Sequence, residues 1–294
     1  MRFYISDAFT DELFGGNPAG LVIIPEGQGY PSDSVMLKTA AELRYSETAF
    51  IRRCTKDSFE LRYFTPADEV ALCGHATIAA FDMLRKEGYV SPGQTCAAIT
   101  KAGKLSIDIK DNTVMMEMAE PVLIRTIDDA ALVRNLCDIS GAVPKEGYLP
   151  KIISTGLPDI LLPVADRKVL NSMKPDMQAL SEFSKRTDTV SLHAFAVEEE
   201  GIYARDFAPL YGIPEEAATG TASGALIYYL MLEGMINPPA TRVFTQGEAM
   251  GRPSRITAEI KLKDNGTPLI KVGGSAVILA GGKIDMPTDR ISGE

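Results

Sequence analysis

The sequence predicts a mixed α/β fold in which one unit of strands and a helix occurs twice. A strand, a turn and a glycine-started helix follow one another between Arg62 and Val90, and a similar stretch runs from Arg205 to Ile236. Strand-like segments separated by turn signals follow each stretch, which is typical of β-hairpins. A duplicated unit is therefore the first expectation for the chain.

The recurrence extends to single positions. Setting Gly74 on Gly220 gives six identities in seventeen positions, and the Arg-x-Phe-x-Pro segments before the two helices coincide at nearly the same offset. A similar offset places Thr48 on His193. The plainer interpretation is that any two strand–turn–helix units look alike, whereas the sharper one is two copies of one domain.

Composition excludes several classes of partner. The chain has 294 residues, enough for two domains, and a net charge of −9 without any cluster of Lys and Arg. Nucleic acid and anionic membranes are therefore not expected partners. The longest apolar run, Ala225 to Leu232, has eight residues, far short of the ~18 that a membrane-spanning helix needs. The N-terminus lacks a signal-peptide pattern, so we expect a soluble, cytoplasmic protein.

The cysteines do not indicate a metal site. Cys54, Cys73, Cys96 and Cys137 show no CxxC spacing, and the chain has two histidines, so no zinc-binding pattern is present and no metal is expected. Three of the cysteines are interpreted as reduced, partly buried small apolar residues. Cys73 differs because it precedes a predicted helix, where a thiolate would be stabilised.

The N-terminal segments alternate between strand and loop. Arg2 to Phe9 is expected to be a strand, followed by a loop from Asp11 to Gly20 whose glycines and Asn-Pro step indicate unusual backbone conformations. Leu21 to Pro25 fits a buried strand. Ser32 to Leu43 fits a helix with one apolar face, and Ser32 is suited to cap it.

Two positions in the first half are candidates for chemistry. Glu47 lies in the β-prone run Ser46 to Ile51, where a carboxylate either faces water or is kept for a purpose. Gly74 begins the helix, and the free N–H groups and dipole at a helix start favour an anion. His75 follows it, and could either face a substrate or cap its own backbone.

The remaining segments repeat this order. The sequence predicts strands at 97–100, 105–109, 114–118, 152–154, 160–162 and 191–197, a helix within 174–184, and hairpins from 242 to 279. Neither half contains a GxGxxG or P-loop motif. The expected domain boundary is Glu120–Pro121. His193 is interpreted as a structural residue.

Several longer motifs resemble one family. They are DAFTDELFGGNPAGLVI, SETAFI, RYFTPADEVALCGHATIAA, GIPEEAATGTASGAL, FTQGEAMGRPSRI and VGGSAVI. The chain resembles, nearly end to end, the phenazine-biosynthesis PhzF-like family within the diaminopimelate-epimerase-like group. The resemblance implies two similar α/β domains, 1–120 and 121–294, with the last strand able to cross back to the first. Each would be a curved, mostly antiparallel sheet wrapped around a central helix, Gly74–Lys86 or Gly220–Glu233.

The resemblance also implies an activity. Members understood chemically are isomerases that move a proton between carbons without a cofactor, in a site between the domains that both helix starts face. It implies Glu47 as general acid/base, His75 beside it, and a small carboxylate as substrate. The other residues that it assigns to the site are Asn17, Gly74, Glu216, Gly220 and Thr221. It further implies a biosynthetic role and a homodimer.

Departures from the family pattern leave alternatives open. Glu216-Ala217 stands where Asp-Pro is usual, and Thr221 where serine is common, so the substrate is expected to differ from a phenazine precursor. Epimerases of the wider group use two cysteines, but Thr219 occupies the second position, and its hydroxyl cannot act as a thiolate. An amino-acid epimerase or racemase is therefore disfavoured. A non-enzymatic protein that binds a small anion is the other alternative.

Overall fold

The chain forms two compact units. The computed structural model describes residues 1–286. Among these residues, the first unit comprises Met1–Met116 together with 274–286, and the second comprises Glu117–Gly273. The division after Met116 lies a few residues before the boundary expected at Glu120–Pro121.

The first unit contains two α-helices and nine strands among its described residues. The helices are α1 (Asp33–Leu43) and α2 (Gly74–Lys86). The strands are β1 (Arg2–Ala8), β2 (Asn17–Ile23), β3 (Thr48–Thr55), β4 (Ser58–Phe64), β5 (Glu69–Val70), β6 (Thr95–Thr100), β7 (Gly103–Ile109), β8 (Val114–Glu117), which ends one residue into the second unit, and β18 (Ala276–Lys283).

The second unit contains four α-helices and nine strands. The helices are α3 (Ala130–Ser140), α4 (Arg167–Ser172), α5 (Met177–Thr187) and α6 (Gly220–Leu232). The strands are β9 (Val122–Thr126), β10 (Lys151–Ser154), β11 (Pro158–Pro163), β12 (Ser191–Val197), β13 (Ile202–Ala208), β14 (Ile213–Glu216), β15 (Ala240–Gln246), β16 (Ser254–Leu262) and β17 (Pro268–Gly274), whose last residue belongs to the first unit.

The two units share one order of strand pairing. In the first, the order is β18-β1-β2-β3-β4-β6-β7-β8, with β2–β3 and β4–β6 parallel and the other pairs antiparallel. In the second, the order is β9-β10-β11-β12-β13-β15-β16-β17, with parallel pairs at the same two places. The short strands β5 and β14 each pair with the strand before them. The predicted fold class, a mixed α/β protein dominated by sheet, is confirmed.

Each unit surrounds one apolar helix. Every residue of α2 from His75 to Leu84 is buried, and the helix packs against β1, β2, β3, β7 and β18. Helix α6 packs against β10, β11 and β16 and has almost no exposed side, as expected for a helix that is apolar all round. The predicted helices Gly74–Lys86 and Gly220–Glu233 are thus confirmed to within a residue.

The other helices cover the opposite faces of the sheets. In the first unit, α1 buries Met36 and Ala40 against Val22, Phe50 and Phe64. In the second, residues of α3, α4 and α5 pack against alternate apolar residues of β11 and β12 and against Phe207 of β13. Helices α3 and α4 were not predicted from the sequence, and the helix predicted from Lys174 begins three residues later, at Met177 of α5.

An arginine fork repeats in both units. Arg62 donates from Nε and Nη2 to the carboxylate of Glu69, at 2.8 and 2.9 Å. Arg205 donates in the same way to Glu215, at 2.8 Å for both bonds. Each fork joins the third or fourth residue from a strand's end to the short strand that leads to the central helix. A bidentate pair fixes geometry as well as charge. The same ion pair therefore anchors the short strand that precedes each central helix.

The pairing corrects one equivalence drawn from the sequence. Thr48 pairs with Phe64 in the first unit, and Leu192 pairs with Phe207 in the second. With the two phenylalanines equivalent, Thr48 corresponds to Leu192 rather than to His193. The residue equivalent to Glu47 is consequently Ser191.

Three smaller expectations were also wrong. Asn17 to Gly20 lie in β2 rather than in a loop, because their backbones pair with β1. Cys54 is exposed rather than partly buried, although all four cysteines are free as expected. Ser32 is the N-cap residue of α1, but its side chain makes no capping hydrogen bond.

In the part of the chain that the structure describes, no helix is long and apolar enough to cross a membrane.

Candidate active site

The turn between β1 and β2 delivers Asn17 to the candidate site. Phe9 and Phe14 have φ of 63° and 69°, a conformation that is uncommon outside glycine and often marks functional sites. Gly16 has φ of 62°, and a Cβ there would lie 2.2 Å from the carbonyl oxygen of Ala8, so only glycine fits. Asn17 begins β2 directly afterwards and is buried.

Glu47 stands at the entry of the neighbouring strand. Its carbonyl accepts a hydrogen bond from the Gly20 N–H at 3.1 Å, which ties it to β2 just before β3 begins at Thr48. The side chain is 14% exposed. The interpretation of Glu47 as a carboxylate on a solvated strand face does not fit this burial.

His75 joins Asn17 and Glu47. The imidazole lies in the first turn of α2 and is buried. Its Nδ1 accepts a hydrogen bond from Asn17 Nδ2 at 3.2 Å, and its Nε2 lies 3.3 Å from Glu47 Oε2 and 3.5 Å from Ser46 Oγ. Because Nδ1 is an acceptor, the proton of the neutral ring is on Nε2 and faces Glu47.

Burial favours this neutral form. It lowers the pKa of His75 below its usual value of 6.5, and the Glu47 carboxylate, which acts in the opposite direction, offsets this only in part. The ring is therefore an uncharged donor at neutral pH. An uncharged donor can hydrogen bond to an oxygen on which charge develops without itself competing as a strong acid.

One oxygen of Glu47 is left for another partner. Oε2 is buried, and it makes no hydrogen bond of acceptable geometry with residues 1–286 although His75 Nε2 is close. A buried carboxylate oxygen without a hydrogen bond is costly. Such atoms are characteristic of sites where a ligand or a transferred proton completes the arrangement.

Cys73 completes a cluster of possible metal ligands. Its Sγ lies 3.5 Å from Nδ1 and 3.7 Å from Nε2 of His75, and the donor atoms of Glu47, Cys73 and His75 all lie within 4.8 Å of one another. A thiolate, an imidazole and a carboxylate suit Zn²⁺. However, a metal on Nε2 would need the ring proton on Nδ1, where Asn17 already presents a donor. The hydrogen bonding favours a proton-transfer pair over a metal centre.

The corresponding helix start in the second unit is built differently. Glu216 ends β14, and its Oε2 accepts a hydrogen bond from Thr219 Oγ1 at 2.8 Å. The Gln246 side chain donates to the Glu216 carbonyl at 2.8 Å and to Thr219 Oγ1 at 3.1 Å, and it accepts from the Thr219 N–H at 3.2 Å. Gln246 is fully buried, so it fixes the turn that presents Glu216.

The other residues assigned from the resemblance lie at these same helix starts. Gly74 and Gly220 are the first residues of α2 and α6, and Thr221 is the second residue of α6. The structure thus brings Asn17, Glu47 and His75 together in the first unit. In the second unit it groups Glu216 with Gly220 and Thr221.

Two contributors were missed by sequence reasoning. Ser46 precedes Glu47 in the motif SETAFI, and Gln246 lies in the motif FTQGEAMGRPSRI. Both motifs supported the resemblance, but no role was given to either residue. The signal available in the sequence for Gln246 was its position before Gly247. The structure explains why a glycine follows: Gly247 has φ of 82°, and a Cβ there would lie 2.7 Å from the carbonyl oxygen of Ala217.

Comparison with known proteins decides the family. Residues 6–282 match the model of a family described as phenazine biosynthesis-like protein. The chain belongs to this family. The PhzF-like resemblance inferred from the motifs is thereby confirmed over nearly the whole length.

Individual PhzF-like relatives agree. An uncharacterized isomerase of Clostridium acetobutylicum is 34% identical over 95% of this chain and 96% of its own length. One of Deinococcus radiodurans is 33% identical over 92% of this chain and 90% of its own. A crystal structure of a Bacillus anthracis phenazine biosynthesis protein of the PhzF family has a TM-score of 0.86 at 25% identity, covering 97% of this chain and 98% of that one. The chain is thus a member of an isomerase family.

Proposed function

We propose that the protein is a cofactor-independent isomerase that moves a proton between two carbons of a small carboxylate-bearing metabolite. The observation that carries the proposal is the Glu47–His75–Asn17 arrangement. It contains a buried carboxylate oxygen without a hydrogen bond and, 3.3 Å from it, a neutral imidazole whose other nitrogen is already occupied. A base and a hydrogen-bond donor side by side are what an enolising proton transfer needs.

In this proposal Glu47 takes a proton from a carbon next to an electron-withdrawing group. The carboxylate becomes a carboxylic acid, while the electron pair of the C–H bond moves toward an oxygen of the substrate. The Nε2–H of His75 donates a hydrogen bond to that oxygen as it gains charge. Glu47 then delivers a proton to a different carbon, so that atoms and charges balance over one turnover. The proton held on the Glu47 carboxylic acid exchanges with solvent in part of the turnovers, so that product formed in heavy water carries deuterium.

The second helix start is proposed to recognise the substrate. Glu216, Gly220 and Thr221 match family site positions, and Glu216 is held in place by Thr219 and Gln246. Participation of these residues in the same site as Glu47 stays a prediction, as do the carboxylate substrate and the homodimer. Glu216 reaches one carbon further than the usual aspartate, which favours a substrate different from that of phenazine synthesis.

The test is deuterium uptake from heavy water into a panel of amino, hydroxy and cyclic carboxylic acids. The parent protein is expected to label one compound class. Glu47→Gln is expected to lower the rate by about 10²–10⁴-fold while binding of the same compound persists. Glu42→Gln, which removes an exposed glutamate of α1, is the matched control for loss of one charge.

Other outcomes separate the alternatives. Equal uptake by the parent and Glu47→Gln would remove Glu47 from the mechanism. Label on a carbon whose configuration is inverted, lost in Cys73→Ser, would indicate an epimerase that uses the buried thiol beside His75. Binding of a panel member without any uptake would indicate a small-anion binding protein. The rate of deuterium uptake is expected to be unchanged after treatment with a chelator, which tests for a metal bound by Glu47, Cys73 and His75.

A further inference from the structure

A group of buried polar residues, two aspartates, a histidine and a serine, lies in the second unit, whereas Glu47 lies in the first. Asp159 of β11, Ser191 and His193 of β12 and Asp206 of β13 are each no more than 1% exposed. They meet because β12 pairs with β11 on one side and with β13 on the other. None of the ion pairs formed within residues 1–286 joins a lysine or arginine to either aspartate.

The hydrogen bonds of this group require one carboxyl group to carry a proton. Ser191 Oγ lies 2.9 Å from Asp159 Oδ1 and 2.8 Å from Asp206 Oδ1. A hydroxyl has a single proton to donate. It can therefore satisfy one carboxylate, and the other oxygen within hydrogen-bond distance must be a donor itself.

The surroundings decide which aspartate is protonated. Asp206 Oδ1 also accepts a hydrogen bond from His193 Nδ1 at 2.9 Å, so two donors point to that oxygen and it carries the charge. Asp159 Oδ2 is buried without a hydrogen-bond partner among the described residues, which is far less costly for a neutral acid than for an anion. The order of donation is Asp159 to Ser191 to Asp206, with His193 donating to Asp206 from the other side.

We infer that Asp159 is kept as a neutral carboxylic acid at neutral pH and thereby limits the negative charge around Glu216. The titratable groups that face Asp159 are Asp206 from β13 and Glu216 from β14, while His193 of β12 acts through Asp206. Glu216 pairs with Asp206 across β13 and β14. A neutral Asp159 leaves two negative charges in this region instead of three.

The electrostatics agree with the hydrogen-bond order. Burial raises the pKa of Asp159 well above its usual value of 3.8, and the charges of Asp206 and Glu216 raise it further. The Ser191 hydroxyl and N–H act in the opposite direction. The strand pairing also makes Ser191 the counterpart of Glu47 in the first unit. Where the first unit holds an acid/base, the second holds a serine between two acids.

The direct test is ¹³C NMR of the parent protein labelled at the aspartate side-chain carboxyl, together with infrared spectra. One aspartate is expected to be protonated at pH 7 by its chemical shift, with a carboxylic-acid carbonyl stretch that Asp159→Asn removes. Asp82→Asn is the matched control, because Asp82 is also fully buried but pairs with Arg85 and Lys86, and it is expected to leave the band unchanged. Absence of a protonated aspartate in the parent would overturn the inference without any variant having to fold.

A second readout uses the pH dependence of unfolding. An acid protonated in the folded state and ionised in the unfolded chain loses its contribution as pH rises above the unfolded pKa, near 3.8. The unfolding constant of the parent relative to Asp159→Asn is therefore expected to rise by up to tenfold per pH unit from about pH 4 up to the folded-state pKa. Asparagine keeps a donor to Ser191 and cannot ionise. A ratio that is flat with pH would contradict a neutral Asp159.

The effect of Asp159 on Glu216 rests on the proposed function and has its own readout. In the deuterium-uptake assay, Asp159→Asn is expected to extend the active range to higher pH, because a third negative charge no longer appears beside Glu216. Identical pH profiles of parent and variant would overturn this effect on Glu216. If the NMR shows a neutral Asp159 while neither protein exchanges deuterium, the proposed isomerase has failed and the buried acid stands.

Discussion

At the scale of single residues, the candidate site depends on which nitrogen of His75 carries the proton. Asn17 decides this, because its amide donates to Nδ1 and leaves the proton on Nε2, toward Glu47. The histidine thus stays an uncharged donor next to a carboxylate, rather than forming an ion pair with it. Its burial makes the charged form unfavourable, which explains why two residues that could pair as ions need not do so.

This tautomer leads to the first prediction. The chain has two histidines, so long-range ¹H–¹⁵N spectra resolve each ring. We expect the His75 ring to be neutral at pH 7 with its proton on Nε2, and Asn17→Ala to populate the Nδ1–H tautomer. His193, which donates from Nδ1 to Asp206, is the internal reference for the opposite tautomer. Protonation of both nitrogens of His75 at pH 7 would contradict the assignment.

The depressed pKa of His75 also predicts a pH dependence of stability. The unfolded chain binds a proton at His75 below about pH 6.5, whereas the folded protein does not until its lower pKa is reached. The unfolding free energy is therefore expected to fall as the pH falls through this window, by about 1.4 kcal/mol for each unit of pKa depression. Denaturant unfolding of the parent and of His75→Gln at several pH values measures it. An equal slope in both proteins would contradict the prediction.

The residue scale also shows where sequence reasoning ends. Glu47 and His75 were assigned from the family motifs. From the residues alone a solvated glutamate was favoured, and a self-capping histidine was as consistent as one that faces a substrate. Asp159, Ser191 and Asp206 were not predicted as a group, because they lie in three different strands and belong to no local motif. Only the pairing of β12 with both neighbours brings them together, and strand pairing over such separations is not written in local pattern.

At the scale of elements, the two central helices were predictable because composition, glycine starts and apolar character agree. Helices α3 and α4 were not predicted: α4 has only six residues, too few for a periodic pattern, and the apolar face of α3, which includes Leu132, Val133 and Leu136, was not recognised in the sequence. Each begins instead at an aspartate N-cap, Asp129 or Asp166, whose side chain accepts hydrogen bonds from the first turn. Those aspartates were the available signal.

Two helix glycines give an element-scale prediction. Gly74→Ala should be tolerated by the fold, because a Cβ there would meet only Met116 Cε at 3.7 Å. Gly224→Ala should cost about 1–3 kcal/mol through overpacking, since its Cβ would lie 2.9 Å from Thr155 Oγ1. Alanine normally favours a helix over glycine, so propensity alone predicts that both variants gain stability. Chemical denaturation of the pair decides between packing and propensity.

The arginine forks predict an asymmetry between the two copies. Arg205 is nearly buried, and besides Glu215 it donates to the carbonyls of Leu170 and Met173 at 3.0 and 2.9 Å. Lysine cannot reproduce this fork, and Arg205→Lys should cost roughly 2–4 kcal/mol by leaving buried groups unpaired.

The matched variant is Arg62→Lys. Arg62 is more exposed, and its partners beyond Glu69 include the exposed Asp33 at 2.8 Å. A cost of about 1 kcal/mol is expected there, because solvent can replace the lost contacts. Denaturant midpoints of the two variants test the order, and a larger loss for Arg62→Lys would contradict the role given to burial.

At the scale of the whole molecule, the shared order of strand pairing explains why β18 belongs to the first unit. The strand that precedes β10 in the second unit is β9, which follows β8 directly in the chain. The equivalent place in the first unit is the edge of β1 that does not pair with β2. It is filled by β18, paired from Arg2 with Lys283 to Ala8 with Ala276. The possibility of a strand crossing back was part of the sequence expectation, but its register was not accessible from local pattern.

This arrangement leads to the last prediction. A chain ended after Gly273 loses β18, together with the hydrogen bonds from Phe9 N–H to Ser275 O and from Lys86 Nζ to Ala276 O. One edge of β1 is then unpaired, and an unpaired edge invites association between chains. We expect the first unit of this protein to lose its protection from proteolysis and hydrogen exchange, and the protein to aggregate. Residues 117–273, which include every strand of the second unit's pairing order, should keep more of theirs.

The control is a chain ended after Met286, which retains all of β18 and should exchange like the parent. Peptide-resolved hydrogen exchange distinguishes the units, because β1 to β7 and β9 to β16 give separate peptides. Equal loss of protection in both units of the shorter chain would mean that they unfold as one cooperative body. Full protection of β1 in that chain would mean that β18 is dispensable. Selective loss in the first unit would show that β18 completes the unit that holds Glu47 and His75.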